Sequence, residues 1–558
     1  MQQAMMVAAL MVGCAGFAQD TVVWTASPWD QVLQDQEPGP GRTVDISAAA
    51  NEYEPYRVII RAGAGGLESV NVTVTDLISS AGMIEAANMT LYRAHYLHIT
   101  EPSTRSTAPA GWYPDALIPF IDPATGEPPV GGTIPSAPFD ILAGDNQEGW
   151  VDCYVPPGTP AGSYQGKVTV MVGNERLARL PVHLTVFGFE LPDTVAMESN
   201  FGSLGSRVAS AYGMEADAPE FVEIEDLYID EFLRHRAMPS SFGAIWPEFN
   251  EETGELDSSA THERLRALIE DRHVNSLRIP FMYRSEPEKC KAYLRAIAAY
   301  LRENGWLEMA YIYMKDEPND AEAYETVRQQ GAMIHEADPD IRCMCTEQTL
   351  TSNPEWGNLY GAVDVWCPLW GIWDEKTARQ RLAKGEELWS YTALCQRDER
   401  NPFWEIDFAP ITFRAPFWVS WHYDVTGFLY WSSVYWGKYD DVYAAPHFRD
   451  KYWGEGMLVY PGPPAGVKGP VTSIRFKLAR EGLEDYEYMV LAAQKSKGRG
   501  GYTTDQIDIE HYVMEPVKSG ATRVDEIVDG VATSFLKWSR DPDDYATARA
   551  RLAAIIAK

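Results

Sequence analysis

Two adjacent carboxylates, Asp316 and Glu317, are the residues of this chain best placed for acid chemistry. The apolar run Met309–Met314 in front of them predicts a buried strand. Pro318 disfavours helical backbone at Glu317 and predicts an extended conformation there. Asp320 is a good cap for a following helix. Carboxylates at the C-terminal end of a strand and before a helix lie where a β/α barrel places its catalytic residues.

The spacing of this pair limits the reactions that it can catalyse. Cleavage of a glycosidic bond usually needs two carboxyl groups that flank the bond, but adjacent residues of an extended segment point in opposite directions. The pair suits another scheme, in which the substrate's own 2-acetamido group attacks the anomeric carbon. Asp316 would then orient the amide N–H, and Glu317 would protonate the leaving oxygen.

Two alternatives to this scheme remain open at the level of sequence. Glu347, at the end of a later predicted strand, is the best spare carboxylate for an ordinary mechanism with two carboxyl groups. The simpler alternative is that Asp316 and Glu317 only cap the next helix.

Composition and charge exclude some classes of function. Of the 558 residues, 45% are hydrophobic and 23% are charged, which is typical of a globular protein. The formal net charge of -33 argues against nucleic-acid binding and, less firmly, against an anionic polysaccharide, although a local basic pocket is compatible with it. The aromatic share of 12% suits a large core and a sugar cleft lined by rings equally well.

The first residues, 1–19, predict an export signal with cleavage before Gln19, so we expect a secreted or periplasmic protein. Cys14 is the rival cleavage point and would give a lipid-anchored protein. No later apolar run is long enough to span a membrane. Neither disulfide nor metal-ligand spacing is found among Cys and His, so we expect free buried thiols, no metal and no cofactor.

The pattern of apolar runs, turns and helical periodicity along the chain predicts several domains. Residues 20–191 alternate short apolar strands with turns, which favours a β-sandwich, and the insert Pro102–Asp140 either stays on the surface or reaches the cleft of the next domain. Residues 192–496 alternate apolar runs with helical periodicity, and eight such runs predict a (β/α)8 barrel of the TIM type. Residues 497–558 predict a short helical C-terminal extension.

Several short motifs carry a resemblance to a known family. In chain order they are Asn51–Pro55 (NEYEP), Gly111–Asp115 (GWYPD), Asp316–Pro318 (DEP), Trp404–Asp407 (WEID), Gly427–Trp431 (GFLYW) and Arg480–Tyr488 (REGLEDYEY). The chain resembles glycoside hydrolase family 123 and the related bacterial family labelled domain of unknown function 4091. The resemblance implies a β-sandwich followed by a catalytic barrel, β-N-acetylgalactosaminidase activity with retention by substrate assistance, and the catalytic pair at Asp316 and Glu317.

Aromatic side chains near the predicted strand ends are the candidates for binding a sugar, because pyranose C–H groups pack on aromatic faces. Each of them has an alternative role in a buried strand or as an anchor of a loop. The candidates are Tyr391, Trp431, Tyr435, Trp436, Trp366 and Trp370.

Three functions are therefore compared, each with an oligosaccharide or glycoconjugate as partner. The first is a retaining exo-hexosaminidase that acts on β-linked N-acetylgalactosamine. The second is a glycosidase that acts on a sugar without the acetamido group, with Glu317 as acid and a distant carboxylate such as Glu347 as its partner. The third is a catalytically silent carbohydrate-binding protein, against which the intact Asp316–Glu317 pair counts. The sequence leaves the oligomeric state open.

Overall fold

The computed structural model describes residues 20–281, 286–436, 441–496 and 523–558. The predicted export signal, with Cys14, lies outside the described residues, and so does the first part of the predicted C-terminal extension, 497–522. Within the described ranges, no helix is both long enough and apolar enough to cross a membrane.

The N-terminal part is rich in β-sheet, as its alternating apolar residues predict. Its strands are β1 (Val22–Ala26), β2 (Val44–Ala50), β3 (Glu52–Arg61), β4 (Leu67–Val74), β5 (Leu77–Ile78), β6 (Met83–Ile84), β7 (Met89–Ile99), β8 (Gly111–Pro119), β9 (Phe139–Ile141), β10 (Asn146–Val155), β11 (Gly162–Val172) and β12 (Glu175–Glu190). One sheet has the order β1-β3-β10-β7-β8, and the other has the order β2-β12-β11-β4-β9, with β5 paired to β11 and β6 paired to β5.

The two N-terminal sheets share one apolar cluster. Tyr56, Val58 and Ile60 alternate along β3 of the first sheet and lie in the same cluster as Val168 and Val170 of the second sheet. Since every second residue of a strand points to one face, this alternation directs a continuous apolar surface of each sheet into the cluster.

The second part alternates strands and helices. In chain order its elements are β13 (Glu198–Asn200), α1 (Gly205–Ala211), α2 (Phe221–Arg234), β14 (Glu248–Phe249), β15 (Leu256–Asp257), α3 (His262–Arg266), β16 (Leu277–Arg278), α4 (Pro287–Glu303), β17 (Ala310–Lys315), α5 (Ala321–Ala337), β18 (Arg342–Cys345), β19 (Val365–Trp366), α6 (Glu375–Ala383), β20 (Glu387–Thr392), α7 (Ala415–His422) and β21 (Gly427–Tyr430). Two hairpins and a long helix follow: β22 (His447–Phe448), β23 (Tyr452–Trp453), β24 (Val459–Tyr460), β25 (Val471–Thr472) and α8 (Ile474–Lys495).

Seven parallel strands form the central sheet of the described chain, in the order β13-β21-β20-β19-β18-β17-β16. The first strand pairs with the last, with Glu198 opposite Gly427, so the sheet curls back on itself. Each strand is followed by helical segments that cover the sheet, which is the arrangement that alternating apolar runs and helical periodicity predict.

The predicted second strand of the barrel, Pro239–Ile245, is not a strand in the structure, and the sheet is open between β13 and β16. Pro239 has no amide proton to donate to a ladder, and Gly243 has a φ of 73°, which ends extended backbone. The segment is held instead by single contacts, such as the hydrogen bond from Ser240 N to Gly202 O at 2.9 Å.

The predicted cap of the helix after the carboxylate pair is present. The side chain of Asp320 accepts a hydrogen bond from Ala323 N at 2.7 Å, and α5 begins at Ala321. The cap and the strand β17 therefore hold the intervening segment, Asp316–Asn319, at both of its ends.

Helix α8 joins the two parts of the molecule through buried ion pairs. Asp152 of β10 lies 2.8 Å from Lys477 Nζ and 2.7 Å from Arg480 Nη2. Burial opposes the charged form of Asp152, yet Arg480 and Lys477 hold the pKa of its carboxyl far below the usual range. The motif Arg480–Tyr488, one of those that carry the family resemblance, lies in this buried helix.

The C-terminal residues are largely helical where the structure describes them. They form α9 (Arg523–Asp529), the hairpin β26 (Ala532–Ser534) and β27 (Lys537–Trp538), and α10 (Pro542–Ile556). Arg549 of α10 pairs with Glu52 and with Glu54 of β3, so the end of the chain is tied to the N-terminal sheets.

The six cysteines of the described chain are thiols rather than halves of disulfides, as expected. Five of them are buried, but Cys395 is exposed, contrary to the expectation of buried thiols, because it lies in the loop after β20 rather than in the core.

Candidate active site

A cavity of about 590 Å³ opens at the carboxyl ends of the parallel strands. All strands of a parallel sheet end on the same side, and β/α folds build their active sites on that side. The side chains that line the cavity from the strand ends are Asn200, Arg278, Tyr313, Asp316, Glu317, Thr346, Tyr391 and Trp431.

One oxygen of Asp316 is held by two hydroxyl groups. Tyr313 donates to Oδ1 at 2.6 Å, and Thr346 donates to the same atom at 3.0 Å. The other oxygen, Oδ2, receives no hydrogen bond from any described residue. The carboxylate is thus fixed through one atom, and its second atom is available to a donor on a ligand.

The backbone at Glu317 differs from the sequence expectation. Its φ is 40°, which is left-handed and not extended, and its N–H donates to Thr346 Oγ1 at 2.9 Å. A left-handed φ at a residue other than glycine costs of order 1–3 kcal/mol. Because the chain turns at this residue, the side chains of Asp316 and Glu317 line one cavity instead of pointing in opposite directions.

Tyr391 reaches Glu317 from β20, across the cavity. Its hydroxyl donates a hydrogen bond to Glu317 Oε1. Burial and the neighbouring Glu317 carboxylate raise the pKa of the Tyr391 hydroxyl. Burial and Asp316 likewise raise the pKa of Tyr313. Both tyrosine hydroxyls are therefore protonated donors at neutral pH.

Trp431 forms one wall of the cavity and is held rigidly. Its Nε1 donates to Glu455 Oε1 at 2.7 Å. Gly456 leaves room for the indole ring, since a Cβ at that position would lie 2.2 Å from Cζ2 of Trp431. Tyr435 packs against Trp431 with ring centroids 5.1 Å apart, but it does not line the cavity itself.

Besides Tyr435, three more of the predicted sugar-binding aromatic residues lie outside the cavity. Trp366, Trp370 and Trp436 are 1%, 2% and 6% exposed. Each indole N–H is bound inside the protein: Trp366 donates to Glu386, Trp370 to Ser390 and Trp436 to the carbonyl of Val459. These rings are therefore packed inside the protein, because they are almost fully buried and their donors are already bound.

Sequence models of one family match both parts of the chain. The model described as "Glycoside hydrolase 123 N-terminal domain" matches residues 46–172, and the model described as "Glycoside hydrolase 123, catalytic domain" matches residues 270–492. Together they cover more than half of the 558 residues, in the order in which the motifs occur. The chain belongs to glycoside hydrolase family 123. It is a glycoside hydrolase, as the motifs of the sequence indicate.

One solved structure agrees with this assignment at the level of the fold. A family 123 glycoside hydrolase from Clostridium perfringens, studied for glycolipid glycan hydrolysis, is 13% identical and has a TM-score of 0.65. The match covers 96% of this chain and 98% of that one. A family 39 glycoside hydrolase from Bacteroides cellulosilyticus is 9% identical with a TM-score of 0.31, over 81% of this chain and 82% of that one. No match was found among curated protein sequences.

Glu347, the spare carboxylate of the alternative mechanism, is not part of the cavity wall of this family 123 chain. It is 8% exposed, and burial raises the pKa of its carboxyl to about 7. A carboxyl group enclosed in this way does not flank a sugar bound between Asp316 and Trp431.

Several cavity residues were not singled out by sequence reasoning. Asn200, Arg278 and Thr346 each stand at or directly after the carboxyl end of a parallel strand. The position after a predicted strand could have identified these residues, because the carboxyl end of every parallel strand, and not that of β17 alone, faces the same side of the sheet. Phe448 and Arg449, which also line the cavity, lie in a hairpin for which the sequence offered no comparable signal.

The insert predicted at Pro102–Asp140 does reach the second part of the molecule. Thr104 N donates to Lys451 O at 3.0 Å, and Ser103 Oγ accepts from Trp453 N at 3.0 Å. These contacts bind the N-terminal part to the β22–β23 hairpin, whose turn contributes to the cavity wall.

A possible metal-binding group, not expected from sequence spacing, lies away from the cavity. The ligand atoms of His335, Cys343 and Asp364 are within 4.8 Å of one another. Asp364 Oδ2 already accepts hydrogen bonds from His335 Nε2 and from the backbone N–H of Cys343, each at 2.8 Å. In this arrangement the group ties α5 to the edge of β18.

Proposed function

We propose that this family 123 hydrolase is a retaining β-N-acetylgalactosaminidase in which the substrate's 2-acetamido group is the nucleophile. The observation that carries the proposal is the geometry of Asp316 and Glu317, which line one cavity, with no hydrogen bond from a described residue to Oδ2 of Asp316. The pattern of residues 1–19 supports export to the periplasm or medium, with Cys14 as an alternative lipid anchor.

In the first half of the reaction the acetamido carbonyl oxygen attacks the anomeric carbon. Asp316 Oδ2 accepts the amide N–H, which orients the amide and stabilises the positive charge that develops on it. Glu317 donates its proton to the glycosidic oxygen as the bond to the anomeric carbon breaks. The products are the free aglycone and a bicyclic oxazolinium intermediate.

In the second half, water attacks the anomeric carbon from the side that the aglycone left. Glu317, now a carboxylate, takes a proton from this water, and the ring of the intermediate opens to restore the acetamido group. Two inversions give overall retention. The Tyr391 hydroxyl donates to Glu317 in the carboxylate stage and lies where it can also contact the acetamido group.

The remaining contacts position the sugar and its catalysts. Trp431 offers a rigid ring face for the C–H groups of the pyranose, and Tyr435 supports it from behind. Thr346 contacts both catalytic residues and holds them in register. Oriented groups of this kind need no reorganisation during the reaction.

The finer architecture belongs to the same proposal. We infer that the two N-terminal sheets, residues 20–191, pack as a β-sandwich on the apolar cluster that they share. We also infer that residues 192–496 form a (β/α)8-type barrel in which the segment Pro239–Ile245 stands in the place of a second strand.

The test is hydrolysis of a panel of 4-nitrophenyl glycosides: β-GalNAc, β-GlcNAc, β-galactoside and arabinosides. We expect turnover of the N-acetyl sugars only. Asp316→Asn and Glu317→Gln should lower kcat by roughly 10²–10⁴-fold, with the Glu317 effect measured on a natural glycan because nitrophenol needs little protonation. Glu322→Gln, an exposed change on α5, is the control.

Binding of a thiazoline mimic of the bicyclic intermediate gives an independent readout. Tight binding that Asp316→Asn weakens supports substrate assistance. Turnover of a galactoside that lacks the acetamido group would contradict the role of Asp316 and would require a second carboxylate. Silence on the whole panel together with no binding of the thiazoline would contradict the proposed function and favour a protein that only binds glycans.

A further inference from the structure

Two guanidinium groups line the catalytic cavity beside the carboxylate pair. Arg278 is the last residue of β16, the strand next to β17. Arg449 lies in the turn of the β22–β23 hairpin, which also brings Phe448 to the cavity. Both arginine side chains are exposed, and nothing in the proposed cleavage of a neutral amino sugar uses either charge.

Neither arginine has a counter-ion within the described part of the chain. Arg278 contacts the ring of Tyr313, with Cζ 4.9 Å from the centroid, and Arg449 contacts the ring of Phe448 at 5.1 Å. Neither forms an ion pair or a hydrogen bond with a described residue, although the protein has 80 acidic and 47 basic residues. By contrast, Arg342, at the amino end of β18 in the same sheet, forms ion pairs with Glu198 and Glu387.

Arg278 stands close to the proposed site of the acetamido group. It lies over the ring of Tyr313, and the hydroxyl of the same tyrosine donates to Asp316 at 2.6 Å. A sugar held by Asp316 therefore has a free cation on the Arg278 side of Tyr313. A substituent on that sugar, or on its neighbour in the chain, can reach this cation.

Arg449 is held in the cavity wall by a strained turn. Arg449 and Asp450 have φ values of 52° and 56°, and Lys451 N closes the turn on Phe448 O at 3.2 Å. Two consecutive left-handed residues normally favour Asn and Gly. The hydrogen bond from Thr104 N to Lys451 O, at 3.0 Å, braces the turn from the N-terminal part of the molecule.

We propose that the substrate is an anionic glycan, and that Arg278 and Arg449 bind a sulfate or carboxylate group on the cleaved sugar or on its neighbour. Guanidinium groups match both oxyanions through paired N–H donors. The proposal rests on the proposed function, since it names the substrate class of the same site. It departs from the expectation drawn from the net charge, because long-range repulsion is screened within about 8 Å at physiological salt whereas these contacts are direct.

The test compares matched substrates. The pair is an aryl β-N-acetylgalactosaminide without and with an O-sulfate, and a disaccharide with a neighbouring uronic acid serves as the carboxylate arm. Wild type should have the higher kcat/KM for the anionic substrates. Arg278→Gln and Arg449→Gln should lower kcat/KM for them by roughly ten- to hundredfold, and by at least tenfold more than for the neutral substrate.

Two controls separate local recognition from changes in overall charge. Arg176→Gln makes the same change on an exposed position of β12, and it should leave both substrates unaffected. Arg278→Lys should recover part of the preference, because it restores the charge without the paired donors. Raising the salt concentration should reduce the preference in wild type more than in either glutamine variant.

The outcomes distinguish this inference from the proposed function. Hydrolysis of the neutral substrate with no preference for the anionic ones, or equal losses on both substrates in both variants, would overturn the inference and leave the function intact. If neither substrate is cleaved, the function is overturned. In that case calorimetry tests the inference without catalysis, by measuring the binding of sulfated and unsulfated oligosaccharides to Glu317→Gln. A preference for the sulfated form that is lost when Arg278→Gln or Arg449→Gln is added supports the inference, and equal binding of the two forms overturns it.

Discussion

Replacement of Thr346 by valine probes how the two proposed catalytic side chains, Asp316 and Glu317, are held. Thr346 Oγ1 accepts from the backbone N–H of Glu317 at 2.9 Å and donates to Asp316 Oδ1 at 3.0 Å. The side chain is only 2% exposed, so the isosteric valine keeps the packing while removing both hydrogen bonds. We expect a loss of activity that exceeds the loss of stability.

The structure allows the size of this effect to be estimated. A hydrogen bond to a charged group contributes about 1.5–3 kcal/mol, and a neutral one contributes about 0.5–1.5 kcal/mol. Tyr313 still donates to the same oxygen of Asp316, which retains part of the first contribution. The left-handed turn at Glu317, with its φ of 40°, loses a restraint. About 2 kcal/mol of lost transition-state stabilisation corresponds to a decrease of roughly thirtyfold in kcat.

The assay is steady-state hydrolysis of an aryl β-N-acetylgalactosaminide, together with urea unfolding of each variant. Thr349→Val is the matched control, since Thr349 is equally buried and lies three residues further on. Among the described residues its hydroxyl bonds that of Thr377, at 2.7 Å, and neither lines the cavity. We expect Thr349→Val to affect stability and to leave kcat near that of wild type. Equal values of kcat in the two variants would refute the argument that Thr346 positions the catalytic pair.

Two further predictions concern a pair of tryptophans, Trp370 and Trp431, and the buried acid Glu487. Trp370→Phe should leave KM within about twofold of wild type and lower the free energy of unfolding by about 1–3 kcal/mol, because it removes the hydrogen bond from Nε1 to Ser390. Trp431→Phe should raise KM. The opposite pattern would place Trp370 in the sugar site. Burial raises the pKa of Glu487 to about 7 from 4.5, so its neutral form stabilises the fold at low pH and this contribution, up to about 3 kcal/mol, is lost as the pH rises through 7. Glu487→Gln should flatten the dependence of urea unfolding on pH between 5 and 8, and an unchanged slope would contradict this assignment.

The parts of the fold that the sequence predicted are those that depend on local patterns. The apolar run before Asp316 became β17, and the cap at Asp320 started α5. The predicted strand Pro239–Ile245 is absent from the structure. Pro239 has no N–H to donate to a ladder, and Gly243 has left-handed backbone, and an apolar pattern reports neither property. The domain boundaries at 191 and 496 stay predictions.

The candidate site was predictable in part. Asp316, Glu317, Tyr391 and Trp431 were named from sequence and line one cavity. Trp366, Trp370 and Trp436 were named by the same reasoning and are buried elsewhere. Residue type and position after a strand do not distinguish the two groups, because the orientation of a ring depends on what packs against it.

The sequence by itself determined the carboxylate pair, its place at a strand end and the family, since these depend on short segments and their order. Only the tertiary structure decided which groups surround the pair. Tyr391 meets Glu317 across 74 positions of chain, and Thr346 meets it across 29. The left-handed turn at Glu317, and the placement of Arg278 and Arg449 in the cavity wall without a counter-ion among the described residues, likewise result from contacts between distant segments. Local periodicity reports backbone geometry, whereas hydrogen-bond partners and free charges are set by which strands the fold brings side by side.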